Sequence, residues 1–141
     1  MIESKELENY LCGRWLGTGV YRDVYDLSFD KQLVLKIAKV GGREINLIEN
    51  RIWWEILHTP IQKFFAPVIS VSEAGKYLLQ RKVKHPSKKD YPKELPAFFT
   101  DTKYSNFGII EETGQFVCCD FGSFNMWRGI KLKMKKVDWW E

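Results

Sequence analysis

Histidine and cysteine are scarce in this chain, with two and three residues respectively among 141. His58 and His85 lie far apart, with no neighbouring cysteine or carboxylate pattern, which excludes a zinc site of ordinary ligand spacing. Cys12, Cys118 and Cys119 are an odd number without a C-x-x-C pair, so a disulfide framework and a thioredoxin-type site are excluded, and a reduced, cytosolic compartment is expected. No run approaches the roughly eighteen apolar residues of a membrane span. The opening MIESKELENYL lacks the apolar core and small-residue cleavage site of a secretory signal. Charge of one sign is also lacking. Twenty-two Lys and Arg against eighteen Asp and Glu give +4, too mild an excess to hold a polyphosphate backbone against salt. Neither nucleic acid nor a membrane is an expected partner.

No repeat, low-complexity tract or Pro/Gly/Ser linker divides the chain, and its length suits one domain. Hydrophobic residues make up 45% and charged residues 28%, enough to fill a core and to exclude the disordered and collagen-like classes. Six tryptophans include the pairs Trp53-Trp54 and Trp139-Trp140.

Residues 5–11 have a helix-compatible composition. Arg14 to Leu27 reads as a hairpin turning at Gly17-Thr18-Gly19, and Leu33 to Ala38 as a short apolar strand. From Arg43 to Leu57, Ile45, Ile48, Ile52 and Ile56 recur at three- or four-residue steps, the clearest helix in the chain, stopped by Thr59-Pro60. Residues 67–71 and 76–83 read as two strands around Glu73-Ala74-Gly75. A short helical piece is expected from Lys93 to Phe99, then a polar loop from Thr100 to Asn106 and a hairpin of residues 107–110 and 115–119. The tail from Ser123 shows no clear period.

Several polar residues stand where chemistry would need them. Gly17-Thr18-Gly19 lies between two strands, against a dinucleotide fingerprint, and no G-K-[ST] follows to make a Walker loop. It is either an ordinary turn or a flexible hairpin able to present N–H groups to phosphates. Lys36 interrupts an apolar strand, and a buried ammonium needs a negative partner; Glu49, on the buried stripe of the following helix, is preferred over Glu44 and Glu55. The alternative is an edge lysine snorkelling to water. Asp101, Lys103 and Asn106 share one loop, with Asp120 just beyond the next hairpin. Such oxygen donors suit Mg2+, or else cap turns. In chain order these elements form the series that phosphoryl transfer requires.

At this point the chain resembles the protein kinase superfamily over roughly residues 14–124. Leu16 to Tyr25 is similar to the family's glycine-rich loop, with Arg22 where a third glycine usually stands. Val34-Leu35-Lys36 resembles its V-A-I-K strand, Glu49 the glutamate of its N-lobe helix, Asp101 to Asn106 its catalytic loop, and Asp120-Phe121-Gly122 its metal-binding motif. The resemblance implies an α+β, kinase-like fold: a five-stranded antiparallel N-lobe sheet with one helix, at about residues 12–83, and a much reduced C-lobe at 84–141, together a single minimal domain. It implies ATP and Mg2+ as cofactors. Lys36 would hold the α and β phosphates, Glu49 would orient Lys36, Asp101 would take the substrate hydroxyl's proton, and Lys103 would neutralise the γ phosphate. Asn106 and Asp120 would carry the metal. Gly17, Thr18, Gly19, Arg22 and Gln80 complete the nucleotide-binding set.

The departures bear on function. Phe99-Thr100 replaces the His-Arg before the catalytic aspartate, and Arg22 either helps bind ATP or fills the site. No A-P-E motif occurs in residues 123–141, and about ten residues, 90–99, stand in for the long helices that usually precede the loop. The first expectation is a phosphoryl transfer to a protein or small-molecule hydroxyl. The second is a pseudokinase-like module that regulates or inhibits a protein partner, and the third is nucleotidyl transfer from ATP. Short chains of this kind also resemble kinase-like proteins of bacteriophages, which would put the protein in the host cytoplasm. The Lys131 to Lys136 run with Trp139-Trp140 either meets an acidic partner or, with Trp127, covers core left bare by missing helices.

Overall fold

The computed structural model describes residues 4–123 and 132–141 of the chain, so Trp127 and Lys131 lie outside the described residues. The architecture is α+β, and the chain divides into two compact units: Met1–Arg51 with Pro67–Lys82, and Ile52–Ala66 with Val83–Glu141.

The first unit is built on one antiparallel sheet. Its strands are β1 (Cys12–Thr18), β2 (Arg22–Leu27), β3 (Asp30–Ala38), β4 (Val68–Val71) and β5 (Tyr77–Arg81), in the order β1-β2-β3-β5-β4. β3 lies at the centre, which explains its nearly continuous apolar run: Val34, Leu35 and Lys36 in succession are all buried. The register sets Val24 and Leu78 opposite Lys36 and sets Gln80 opposite Val34. Side chains alternate along a strand, so Val34, Lys36, Leu78 and Gln80 share one face.

Two helices complete this part of the chain, α1 (Ser4–Leu11) and α2 (Arg43–Ile56). Gly42 fixes the start of α2: a Cβ there would stand 2.0 Å from the Tyr21 carbonyl oxygen. Only glycine lets the β3–α2 turn approach the end of the β1–β2 hairpin so closely. The buried face of α2 is not the isoleucine stripe alone. Asn46 and Glu49 are wholly buried and continue the line through Ile52, Trp53 and Ile56. The helix stops because His58 adopts φ 66°, while Thr59 returns its backbone N–H and hydroxyl to the Ile56 carbonyl.

The second unit is held by aromatic packing. Phe65 meets Phe121 edge-on at 5.0 Å between centroids and Phe99 at 5.2 Å, and Phe99 meets Phe107 at 5.2 Å. The hairpin of β7 (Phe107–Ile110) and β8 (Gln115–Cys118) forms where the sequence predicts it, with Phe107 opposite Cys118. Cys118 faces the core, and Cys119 packs on the cluster of Ala66, Ile110 and Val117.

Residues 93–99 correct the helical expectation. Glu94–Pro96 is a strand, β6, and pairs antiparallel with β9 (Met134–Lys136) in the tail that was expected to lack period. Pro92 and Pro96 decide this. Each removes a backbone donor and pushes the preceding residue away from helical geometry, so the three residues between them cannot sustain a helix. The tail's own signal is the alternation Lys-Leu-Lys-Met-Lys at 131–135. No described helix is long and apolar enough to cross a membrane.

Candidate functional site

The candidate residues fall into two sets, one in each unit. In the first, Lys36 on β3 donates to Glu49 Oε1 at 2.8 Å, so the expected partnership forms. Arg22 joins it from the first position of β2. Its Nη2 lies 2.9 Å from Glu49 Oε2, and its Nη1 donates to Asn46 Oδ1 at 3.0 Å. Lys36 is 5% exposed, Arg22 7% and Glu49 0%, so this is a buried cluster in which two cations share one carboxylate. Burial pushes the Glu49 carboxyl up, but the charges of Lys36 and Arg22 and the hydrogen bonds from both outweigh it and hold the group below its ordinary value.

Asn46 is the member that sequence reasoning missed. Its Nδ2 donates to the carbonyls of Gly75 at 2.9 Å and Lys36 at 3.3 Å, while its Oδ1 accepts from Arg22. One carboxamide therefore ties α2 to β2, to β3 and to the β4–β5 turn. The available signal was its spacing, three residues before Glu49 and hence on the same helix face. Arg22, read in the sequence as a residue of the glycine loop, has its guanidinium among these buried groups. Gln80 is wholly buried on β5.

Gly17 and Thr18 end β1, paired with Val24 and Asp23, and Gly19 opens the turn by donating to the Arg22 carbonyl at 2.8 Å. No atom within 4 Å would meet a Cβ at Gly17, so the hairpin tip has open space around it. Lys39, a second residue missed from sequence, reaches back from beyond β3. Its ammonium donates to the Thr18 hydroxyl and, at 2.8 Å, to the Gly19 carbonyl, and it lies 3.6 Å from the Asp23 carboxylate. A cation thus crosses the mouth of the glycine hairpin.

In the second unit, the loop before β7 brings Asp101, Lys103 and Asn106 together. Asp101 is exposed, Lys103 half-buried and Asn106 buried. The Asn106 N–H donates to the Lys103 carbonyl at 3.0 Å, and its Nδ2 lies 3.4 Å from the Asp101 carbonyl. Cys119 N–H donates to the Asn106 carbonyl at 2.7 Å, extending the β7–β8 ladder by one step. That bond sets Asn106 beside the chain that leads directly into Asp120. The amide nitrogen of Asn106 is directed at the Asp101 carbonyl, and Asp120, at the same end of the hairpin, is an exposed residue. A carboxamide oxygen and a carboxylate fit Mg2+, which keeps its remaining positions for water and phosphate. Among the described residues no three His, Cys, Asp or Glu side chains form a metal-binding group, so an all-protein cage is not what this loop offers.

No protein-family model and no curated protein matches this chain.

Proposed function

We propose that the protein is a minimal, kinase-like domain that binds ATP with Mg2+ and transfers the γ-phosphoryl group to a hydroxyl of a protein or small molecule. The observation that carries the reading is the buried Lys36–Glu49 pair. A buried lysine paired with a carboxylate, on a strand facing a helix, is an arrangement suited to fixing a cation for phosphates. In this reading Lys36 meets the α and β phosphates, while Gly17, Thr18 and Gly19 offer backbone donors. Asp101 accepts the proton of the attacking hydroxyl, whose oxygen forms the new bond to phosphorus as the bond to the β-phosphate oxygen breaks and ADP leaves. Lys103 offsets charge on the transferred group, and Asn106 and Asp120 hold Mg2+, which when bound neutralises phosphate oxygens.

Arg22 has a different part from the one its place in the loop suggests. With its guanidinium on Glu49 and Asn46, it supports the Lys36 partner, and nothing specific then favours nucleotidyl transfer. One observation favours the binding-module reading: among the described residues, the second unit beyond α2 consists of short 3-10 turns and two-stranded sheets, with little helical surface for docking a substrate.

The test uses two labels. Mg-ATP raises the Tm of the wild type and not of Asp120→Ala, and γ-labelled ATP transfers its label to an acceptor in a reaction lost in Asp101→Asn. A Tm rise without transfer to any offered acceptor selects the binding module, and no Tm rise at all removes the nucleotide site.

A further inference from the structure

Trp139 and Trp140 are adjacent, and the fold uses them differently. Trp139 turns inward: its Nε1 donates to the Pro92 carbonyl at 2.8 Å, and its ring meets Tyr91 at 4.9 Å and Phe107 at 5.1 Å between centroids. Trp140 turns outward and is 48% exposed, so covering core does not account for it. Its backbone is nonetheless tightly held. Trp140 N–H donates to the Thr102 carbonyl at 3.2 Å, the Trp140 carbonyl accepts from Tyr104 N–H at 2.8 Å, and the Thr102 hydroxyl donates to the Asp138 carbonyl at 2.7 Å. These bonds make a parallel bridge between Lys103 and Trp140. Residues 138–140 are therefore laid along the loop that carries Asp101, Lys103 and Asn106, and the bridge brings the indole to Lys103, whose ammonium lies 5.5 Å from the ring centroid.

The choice of an aromatic partner has a chemical consequence. A carboxylate would restrain Lys103 but neutralise it and occupy its N–H donors. An aromatic face attracts the cation through its quadrupole, leaving its charge and its N–H groups for another acceptor. We propose that Trp140 is a positioning residue, holding Lys103 over its ring so that the undiminished ammonium meets the γ phosphate of Mg-ATP. This rests on the kinase-like reading above.

The experiment separates the two. In 13C-labelled wild type, ring current from Trp140 shifts the Lys103 side-chain resonances away from those of exposed lysines. The shift disappears in Trp140→Leu and persists in Trp140→Phe. By calorimetric titration, Trp140→Leu binds Mg-ATP about two- to fivefold more weakly, the range that an exposed cation–π contact supports, while Trp140→Phe recovers most of the affinity. Mg-ADP, which lacks the γ phosphate, binds both variants like wild type, and Trp140→Leu adds no further loss in a Lys103→Gln background. An absent ring-current shift, an unchanged Mg-ATP affinity, or an equal loss for ATP and ADP overturns the positioning role while the kinase-like reading stands. A wild type that binds neither nucleotide overturns both, even with the Lys103–Trp140 contact visible in the spectrum.

Discussion

Glu49→Gln removes the carboxylate that Lys36 and Arg22 share, with almost no change in side-chain shape. Both cations, 5% and 7% exposed, then face a neutral carboxamide. Breaking a buried ion pair from one side costs about 3–5 kcal/mol, because the remaining charge stays desolvated. That is a large part of the roughly 5–15 kcal/mol that holds a domain folded. For a chain of 141 residues each kcal/mol moves the Tm by roughly 3 °C, so Glu49→Gln should melt about 10–15 °C below wild type. Lys36→Met is the contrast. It leaves Glu49 with Arg22 at 2.9 Å and fills the β3 position with an apolar chain, so its cost should be about 0–2 kcal/mol. Calorimetry or circular dichroism melts measure both. Acid pH gives a second reading of the same physics. Glu49 is held below its ordinary 4.5 in the folded chain, so its contribution is complete above that value and is lost as pH falls toward the lowered one. Wild type should therefore lose Tm more steeply than Glu49→Gln below about pH 4.5. A Glu49→Gln variant that melts within a few degrees of wild type, or a Lys36→Met variant that is equally damaged, would refute the shared role of Glu49.

Three further substitutions probe the frame around the sites. Gly42→Ala would set a methyl 2.0 Å from the Tyr21 carbonyl oxygen; a loss of about 1–3 kcal/mol in urea unfolding is expected, and a neutral result would mean that the turn moves freely from the hairpin. His58→Gly relieves a side chain held at φ 66° and should gain about 0.5–1 kcal/mol, read as a higher Tm. Trp139→Ala removes an aromatic anchor and the hydrogen bond to Pro92, and should cost about 3–5 kcal/mol by denaturant melt, against a much smaller loss for Trp140→Ala.

Much of the fold is legible in the sequence where local patterns carry it. The three- and four-residue steps of Ile45 to Ile56 announce α2, and the apolar runs either side of Gly114 announce the β7–β8 hairpin. The Lys36–Glu49 partnership is legible too, because a lysine inside an apolar strand demands a carboxylate and the helix stripe admits one. Arg22 was harder. Its long side chain can turn to solvent or to the core, and only the register of β2 against β3, with Asn46 already buried on α2, settles where the guanidinium is satisfied.

The β6–β9 pair illustrates the same limit at the level of backbone. The alternation at 131–135 signals a strand but not its partner, because the two strands are separated by some forty residues along the chain. What the chain's order of residues determined by itself was the longer elements, such as α2 and the central strands, and the list of polar groups available for chemistry, since both follow from short-range periodicity and residue type. What tertiary structure decided was the use of each group: Arg22 turned onto Glu49, Asn46 pinned to three segments, Lys103 laid on Trp140. A long charged side chain has no destination until distant segments pack, because its cost of burial depends wholly on which partner the fold brings within reach.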